Sequence, residues 1–329
     1  MQATNYGFRI VGSCRETRRL VDATAAFAGY ATCDKRAEVS QESYLSAFQF
    51  GGEFRDHLKM TESTKGYRGL CWSTWLWWDI DRENDLDAAV RDARRLSAFL
   101  VKRYRIDDDE LLIFFSGSKG FHVGLPTSLW GPVPSADFNR LARRFAERVA
   151  EQAGITIDVG IYDKVRALRA PNSRHPKTGR HKLRLSFKEL THLATDSMLQ
   201  RAQQPEPFDL PDRPTANEQA AADWQQAARD FEEEKGIQRQ RRSTGTNSTT
   251  LNRLTRAFLR DGAPPGDRHR LLYSAAANLA ELGCPRNLAH ALLTEPALDC
   301  GLPPKDVRRQ IDCGWKGNCQ EIGPENDPG

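Results

Sequence analysis

The sequence of 329 residues contains no apolar run near the roughly 18 to 20 residues that a membrane-spanning helix requires, which argues against a membrane protein. Its N-terminus lacks a basic segment followed by a continuous apolar stretch, so no secretory signal is present and we expect a cytoplasmic protein. Seven cysteines, an odd number scattered along the chain, favour reduced thiols over a disulfide framework. With 39% apolar residues, the composition is that of a globular protein with its own hydrophobic core.

The net charge of +4 is too small to indicate a nucleic-acid partner, but the charges are unevenly distributed. Residues 164–188 contain nine Lys or Arg and no Asp or Glu, so the rest of the chain is net negative. A concentrated positive field of this kind points to a phosphate-bearing partner. A solvated basic face is the alternative interpretation.

Hydrophobic periodicity predicts an α+β domain that ends near residue 195. The expected strands are an aromatic one at 71–81, two around a turn at 111–115 and 121–125, and one at 182–188. The expected helices are at 86–104 and 135–153, the second with Ser135 as N-cap and Gly154 as its end. The first 70 residues are mixed, with helical patterns at 15–27 and 43–60.

Composition changes after this domain. Residues 196–250 predict a linker with a charged helix, since 203–215 contain four prolines and 243–250 are rich in Ser, Thr and Gly. Residues 251–320 predict a small all-helical domain, followed by a tail at 321–329. Its expected helices, separated by Gly or Pro, are at 252–260, 268–282, 286–293 and 305–313.

Two carboxylates, Asp79 and Asp81, end the aromatic strand WLWWDID. Alternate residues of a strand share a face, so these carboxylates lie about 7 Å apart on one side, together with Trp75 and Trp77. Like charges this close favour a divalent cation, which prefers oxygen ligands. A strand that simply ends in an acidic turn is the alternative. We expect the tryptophans to be core residues, with an open stacking platform as the alternative for Trp75 and Trp77.

The turn SGSKGFH lies between two apolar strands. Gly117 and Gly120 permit a tight turn whose backbone N–H groups can contact a phosphate. Side-chain donors are added by Ser116, Ser118, Lys119 and His122. The motif is not a P-loop, because the G-x-x-x-x-G-K-[ST] spacing is absent and a strand follows it. An ordinary hairpin loop is the alternative.

A third cluster begins at Asp158 and continues through Arg166 and Arg169. A carboxylate among cations is also the composition of a salt-bridge network. Taken with the two other motifs, however, carboxylates for metal ions and Ser, Lys, His and Arg donors for a polyphosphate are the components of two-metal phosphoryl transfer.

In order and chemistry, WWDID, SGSKGFH and IDVGIYDKVRALRAPNSRHPKTGR resemble the three motifs of archaeo-eukaryotic primases. The resemblance covers residues 70–190 and is specific because three separated motifs agree. The string SRHPKTGR is especially close to the S-x-H-P-K-T-G-R of primase small subunits. The resemblance implies a catalytic domain over 1–195, with an RRM-like antiparallel-sheet core at 71–195 and an α/β flank at 1–70.

This resemblance also implies roles for the matching residues. Asp79, Asp81 and Asp158 would be the catalytic ligands of a two-metal site for Mg²⁺ or Mn²⁺, with Asp163 as the alternative to Asp158. Arg169 matches the basic residue of the family's third motif, with Arg166 as its alternative. The residues that would bind the nucleotide and its phosphates are Ser116, Ser118, Lys119, His122, Arg166, Arg169 and His175.

Residues 251–320 resemble the small helical domain that follows the catalytic core in plasmid and phage primases, on helical pattern more than on chemistry. The resemblance implies that this domain holds the template or the first nucleotides. Its cysteines form no C-x-x-C pair, so we expect buried thiols rather than a structural zinc or iron–sulfur site. These cysteines are Cys284, Cys300, Cys313 and Cys319.

The resemblance therefore predicts a DNA primase or primase-polymerase of plasmid or phage type, a nucleotidyltransferase that makes primers. Its partners would be single-stranded DNA template, ribo- or deoxyribonucleoside triphosphates and a replicative helicase. One alternative is a catalytically idle replication initiator that binds single-stranded DNA. Another is a metal-dependent nuclease, which would leave without a task the residues Ser116, Lys119, His122 and Arg169.

Overall fold

Ten strands and eleven α-helices occur in the residues that the computed structural model describes, which are 5–244 and 250–316, with backbone alone for 238–244. The chain divides into two units, residues 1–233 and 234–329. The strands are β1 (Tyr6–Val11), β2 (Arg19–Asp22), β3 (Ser43–Ser46), β4 (Gln49–Phe50), β5 (Cys71–Trp72), β6 (Trp75–Asp81), β7 (Leu112–Phe115), β8 (Gly120–Pro126), β9 (Ala167–Arg169) and β10 (Leu183–Leu185). The helices are α1 (Ala23–Ala31), α2 (Gly52–Thr61), α3 (Leu86–Tyr104), α4 (Phe138–Ala153), α5 (Phe187–His192), α6 (Thr195–Arg201), α7 (Glu218–Thr244), α8 (Arg253–Asp261), α9 (Arg268–Glu281), α10 (Arg286–Asp299) and α11 (Pro304–Lys316).

Six strands, β1 to β5 and β9, form an antiparallel sheet that we call the N-terminal sheet. β1 pairs with β2, β3 and β4, and β3 pairs with β9, so that Tyr44 lies opposite Arg169. The helices predicted at 15–27 and 43–60 are therefore wrong in their first parts. Those parts are the strands β2 and β3, which pair with β1, and helices begin only at Ala23 and Gly52.

Four strands form a second antiparallel sheet, the motif sheet, in the order β10-β7-β8-β6. Its elements follow one another as β6, α3, β7, β8, α4 and β10, with the helix α3 spanning the residues that the periodicity predicts. α4 ends at Gly154 as expected but begins at Phe138. Ser135 is not its N-cap, because its backbone pairs with that of Cys71 through bonds of 3.0 and 3.2 Å.

The aromatic segment 71–81 is two strands rather than one. Its first part, β5, belongs to the N-terminal sheet, and its second, β6, belongs to the motif sheet. Ser73 lies between them and its hydroxyl donates to the carbonyls of Ala47 and Trp75, at 3.3 and 2.5 Å. These bonds satisfy the backbone where the chain leaves one sheet for the other.

Both faces of β6 are buried near its start. Trp78 is fully buried, and its indole N–H donates to the carbonyl of Ala146 in α4. Trp75 and Trp77 on the other face are 9% and 6% exposed, and the Trp77 ring packs near Phe114 with centroids 6.0 Å apart. These two tryptophans are core residues, as expected, and offer no open stacking platform.

The first unit extends past residue 195. Met198, Ala202 and Ala220 are buried in its core, although the sequence assigns them to a linker. Trp224 stacks on Trp130 with ring centroids 5.2 Å apart. Helix α6 and the first turns of α7 are thus packed parts of this unit.

In the described residues of the second unit, the end of α7 is followed by the four helices α8 to α11. Its core includes Phe258, Leu272, Leu293 and Ile311. α9 and α11 approach so closely that a Cβ at Gly314 would lie 2.4 Å from the carbonyl oxygen of Tyr273. In residues 5–244 and 250–316, we find no helix with the length and hydrophobicity needed to cross a membrane.

The cysteines of this unit differ in exposure. Cys284 and Cys300 pack against its core and their thiols contact the carbonyls of Pro285 and Ala297, whereas Cys313 is exposed. Cys319 and the predicted tail lie outside the described residues.

Candidate active site

Strand pairing places the two carboxylates of the first motif opposite the second motif. In the β6–β8 pair, Asp79 lies opposite His122 and Asp81 opposite Gly120. A Cβ at Gly120 would lie 2.2 Å from both Asp81 Oδ1 and the Ile80 carbonyl oxygen. Glycine is required there because Asp81 packs directly over this backbone.

Each carboxylate has a basic partner from β8 or the turn before it. His122 Nε2 lies 3.3 Å from Asp79 Oδ1, and Lys119 Nζ lies 3.1 Å from Asp81 Oδ2. Burial acts to raise the pKa of Asp79, but the neighbouring His122 and the nearby cations Lys182 and Arg166 outweigh it and hold that pKa below its ordinary value. Burial, reinforced by the charge of Lys182, lowers the pKa of His122. At neutral pH the pair is thus a carboxylate and a neutral imidazole.

The turn of the second motif is held against the third. The N–H of Ser116 donates to the Gly120 carbonyl at 2.9 Å, and Gly117 has a φ of 84°, in the left-handed region that favours glycine. The Thr178 hydroxyl donates to the Gly117 carbonyl at 2.7 Å. The SGSKG turn and the HPKTGR loop, far apart in the sequence, therefore lie against each other.

His175 belongs to the same loop and has a fixed tautomer. Its Nδ1 accepts hydrogen bonds from the backbone N–H groups of Lys177 and Thr178, at 3.2 and 3.3 Å. Burial and the charge of Arg169 lower the pKa of His175 to about 4. The neutral ring therefore carries its proton on Nε2, where it can donate to an anion.

Arg169 lies at the end of β9. Its guanidinium carbon is 5.2 Å from the centroid of the Tyr44 ring, and its Nη1 lies 3.4 Å from the Arg174 carbonyl oxygen. The backbone of Arg166, three residues earlier, accepts a bond from the N–H of Ala47 while its side chain is exposed. Both arginines thus depend on the N-terminal sheet for their positions.

Nine of the ten predicted site residues line one cavity of about 230 Å³. They are Asp79, Asp81, Ser116, Ser118, Lys119, His122, Arg166, Arg169 and His175. The carboxylates lie on its β6 side, and the cations of the third motif lie on its β9 side. The cavity therefore joins an anionic and a cationic surface.

Asp158 is the predicted site residue that does not line this cavity. Its backbone N–H donates to the Asp79 carbonyl at 2.8 Å, but its exposed carboxylate accepts from the N–H of Gly160 and caps a short 3₁₀-helix. Asp163, the alternative, lines a different cavity. Within the described residues, no three His, Cys, Asp or Glu side chains are grouped to hold a metal ion.

Several cavity residues are not predicted by the sequence. Tyr44 contributes a ring beneath Arg169, its hydroxyl donates to Glu42, and burial raises its pKa to about 12. It was missed because the segment around it carries no motif and has a helical pattern. The others, Ile161, Ala167 and Leu168, are apolar and carry no chemical signature.

No family model matches this chain, and no curated protein sequence matches it. Among solved structures, the chain is similar to the crystal structure of primase RepB', with 14% sequence identity and a TM-score of 0.36. The alignment covers 96% of this chain and 94% of that one. A likeness this distant assigns neither a fold family nor an activity.

Proposed function

We propose that the protein is a DNA primase or primase-polymerase, which joins nucleoside triphosphates on single-stranded DNA by nucleotidyl transfer. The observation that carries the proposal is the cavity in which Asp79 and Asp81 face Lys119, Arg166 and Arg169. Carboxylates without added cations repel a triphosphate, and cations alone do not activate a hydroxyl. Their combination in one cavity suits a reaction on a polyphosphate.

The carboxylates fit a divalent cation. Asp79 Oδ1 is buried and has no well-aligned hydrogen-bond donor, so this oxygen is available to a cation. Mg²⁺ is commonly held by one or two carboxylates, and substrate phosphates and water complete its shell. When bound, Mg²⁺ or Mn²⁺ would stabilise charge on the attacking and leaving oxygens. A second metal ion would require Asp158, whose carboxylate is held by the N–H of Gly160, so the proposal rests on Asp79 and Asp81.

The other wall would hold the triphosphate. Lys119 is half-exposed and can move from Asp81 to a phosphate, and the guanidinium groups of Arg166 and Arg169 present several donors each. His175 adds a neutral donor at Nε2. Fixing the triphosphate between these groups would align its α-phosphate with a primer hydroxyl, which supplies much of the rate enhancement in such reactions.

The same proposal includes the fold of the catalytic core, the role of the second unit and a protein partner. The β-α-β-β-α-β chain order of the motif sheet and its two helices agrees with an RRM-like core, whereas its first strand, β6, lies at the edge of the sheet rather than in the centre as in an RRM. We further propose that the helical second unit holds template or first nucleotides, as in plasmid and phage primases, and that a replicative helicase is a partner.

The direct test is incorporation of α-³²P-labelled nucleotides on single-stranded DNA, with Mg²⁺, with Mn²⁺ and with EDTA. We expect template-dependent products that require a divalent cation. Asp79→Asn should reduce incorporation about a thousandfold or more, because electrostatic stabilisation at the reacting centre is lost. It should still bind single-stranded DNA, measured by fluorescence anisotropy.

Asp209→Asn is the matched control, since Asp209 is exposed and lies outside the cavity. It should keep full incorporation. Binding of DNA by the wild-type chain without incorporation would instead identify an idle initiator. Cleavage of the labelled strand in the absence of triphosphates would identify a nuclease.

A further inference from the structure

Lys182 is a buried lysine next to the candidate active site, although it does not line the cavity. Its side chain is 1% exposed, and its Nζ donates to the carbonyl of Arg169 at 2.8 Å. The same Nζ lies 4.6 Å from the centroid of the Phe114 ring and 5.5 Å from that of Trp77. The side-chain amine is thus enclosed by two aromatic rings and one backbone carbonyl, and burial together with the charge of Arg169 lowers its pKa.

This position is costly for an ammonium group. Lysine is almost never fully buried, because removing the charge from water is unfavourable unless it is paired. Aromatic faces and a single carbonyl compensate for this in part. An apolar side chain of similar length would fill the same space without that cost. Core stability therefore does not explain why a lysine occupies the position.

The contacts of Lys182 join the two sheets that form the cavity. Lys182 immediately precedes β10 of the motif sheet, whereas Arg169 belongs to β9 of the N-terminal sheet. Of the two enclosing rings, Trp77 precedes Asp79 by two residues on β6, and Phe114 pairs with His122 across β7 and β8. One side chain thus links the backbone of Arg169 to the strands that carry Asp79 and His122.

We propose that Lys182 is a positioning residue, which holds Arg169 at the distance from Asp79 and His122 at which its guanidinium binds a substrate triphosphate. The inference rests on the proposed function of this cavity. It adds a residue that acts through the Arg169 backbone and does not touch the substrate.

The test compares Lys182→Met with Lys188→Met, a control at an exposed lysine of the same basic stretch. We assay at pH 8, where Asp79 remains a carboxylate and His122 remains neutral without Lys182. At this pH we expect Lys182→Met to raise the KM for nucleoside triphosphate about tenfold and to leave kcat within about threefold, because binding rather than chemistry is affected. Its thermal midpoint should stay within about 4 °C of the wild type, since an apolar side chain replaces a buried charge. Lys188→Met should change none of these.

A double-mutant cycle with Arg169→Ala separates positioning from general structural damage. If Lys182 acts through Arg169, adding Lys182→Met to Arg169→Ala should change the KM by no more than about twofold. If the two substitutions instead multiply in their effects on the KM, they act independently and the inference is overturned. An unchanged KM in the single variant would overturn it too.

Binding of inorganic tripolyphosphate, measured by calorimetry on the full chain with Mn²⁺, distinguishes this inference from the proposed function. Weaker binding by Lys182→Met than by wild type supports the inference even if the chain incorporates no nucleotide, in which case only the proposed function fails. Incorporation by the wild type with equal binding by the variant overturns the inference alone. Absence of tripolyphosphate binding by the wild type overturns both.

Discussion

The two walls of the cavity are built in different ways. On the β6–β8 wall, Asp79 and Asp81 are placed by strand register, directly opposite His122 and Gly120. On the wall formed by residues 166–182, positions depend on individual side-chain bonds, such as the one from Thr178 to the Gly117 carbonyl. Substitutions on the first wall should therefore remove a charge in place or distort a strand pair. Substitutions on the second wall should shift the residues that the lost side-chain bond holds in place.

Gly120→Ala should have the largest effect that does not remove a charge. The added Cβ would meet the backbone of Ile80 as well as the Asp81 carboxylate, so the strands must separate. We expect a loss of about 2 to 3 kcal/mol in the free energy of unfolding and a fall of about a hundredfold in incorporation. Thermal denaturation measures the change in stability, and the primer assay measures the change in incorporation.

Gly52→Ala is the control for this change, because the nearest atom to a Cβ there, at the start of α2, is 4.0 Å away. It should leave stability and incorporation unchanged. A Gly120→Ala protein of wild-type stability would show that strand register does not hold this wall.

Thr178→Val should have a smaller effect, on the second wall. Valine keeps the shape but removes the hydroxyl that joins the HPKTGR loop to the SGSKG turn. We expect a loss of about 1 kcal/mol in the free energy of unfolding. The KM for nucleotide should rise about threefold to tenfold, with little change in kcat. Thr215→Val, at an exposed threonine, should be neutral. A change in kcat without a change in the KM would show that the loop acts in the chemical step rather than in nucleotide binding.

Asp158→Asn tests a carboxylate that lies next to β6 but does not line the cavity. Asparagine is as good an N-cap as aspartate, so the 3₁₀-helix should persist and incorporation should stay within about threefold of wild type. A loss comparable to that of Asp79→Asn would show that the Asp158 carboxylate leaves its cap and binds a cation during the reaction.

The smallest expected effect is a pH dependence from His175. Its pKa in the folded chain is about 4, below the ordinary value, so the unfolded chain binds more protons between about pH 4 and 6.5. Stability should therefore fall as pH decreases through this range, by about 1 kcal/mol once solvent screening of a partly exposed ring is included. His175→Gln should reduce this slope in thermal midpoints measured from pH 7 to pH 4. An unchanged slope in the His175→Gln variant would show that other groups cause the pH dependence.

The sequence predicts the first wall better than the second, for a physical reason. Asp79, Asp81 and His122 lie on regular strands, and alternation along a strand decides which side chains share a face. The helix α3 is also predicted residue for residue, because its apolar period extends over five turns. Such local periodicity requires no knowledge of distant partners.

The parts that escape prediction depend on distant pairing. Tyr44 reaches the cavity because β3 pairs with β9, which follows three of the four motif-sheet strands in the sequence. Both strands are only three or four residues long, too short for a clear period. The Asp158 carboxylate likewise accepts a hydrogen bond from the N–H of Gly160, which competes with binding of a metal ion. The motif itself does not indicate this bond.

The passage of residues 71–81 from one sheet to the other has a consequence for fragments of this protein. A fragment that begins at residue 71 would retain all three motifs, yet it would lack β1 and β3. β9 would then lose its pairing partner, and Arg169 would lose both the Tyr44 ring and the strand that orients it. The smallest part of the chain with a complete cavity therefore includes the 70 residues in which no motif can be recognised.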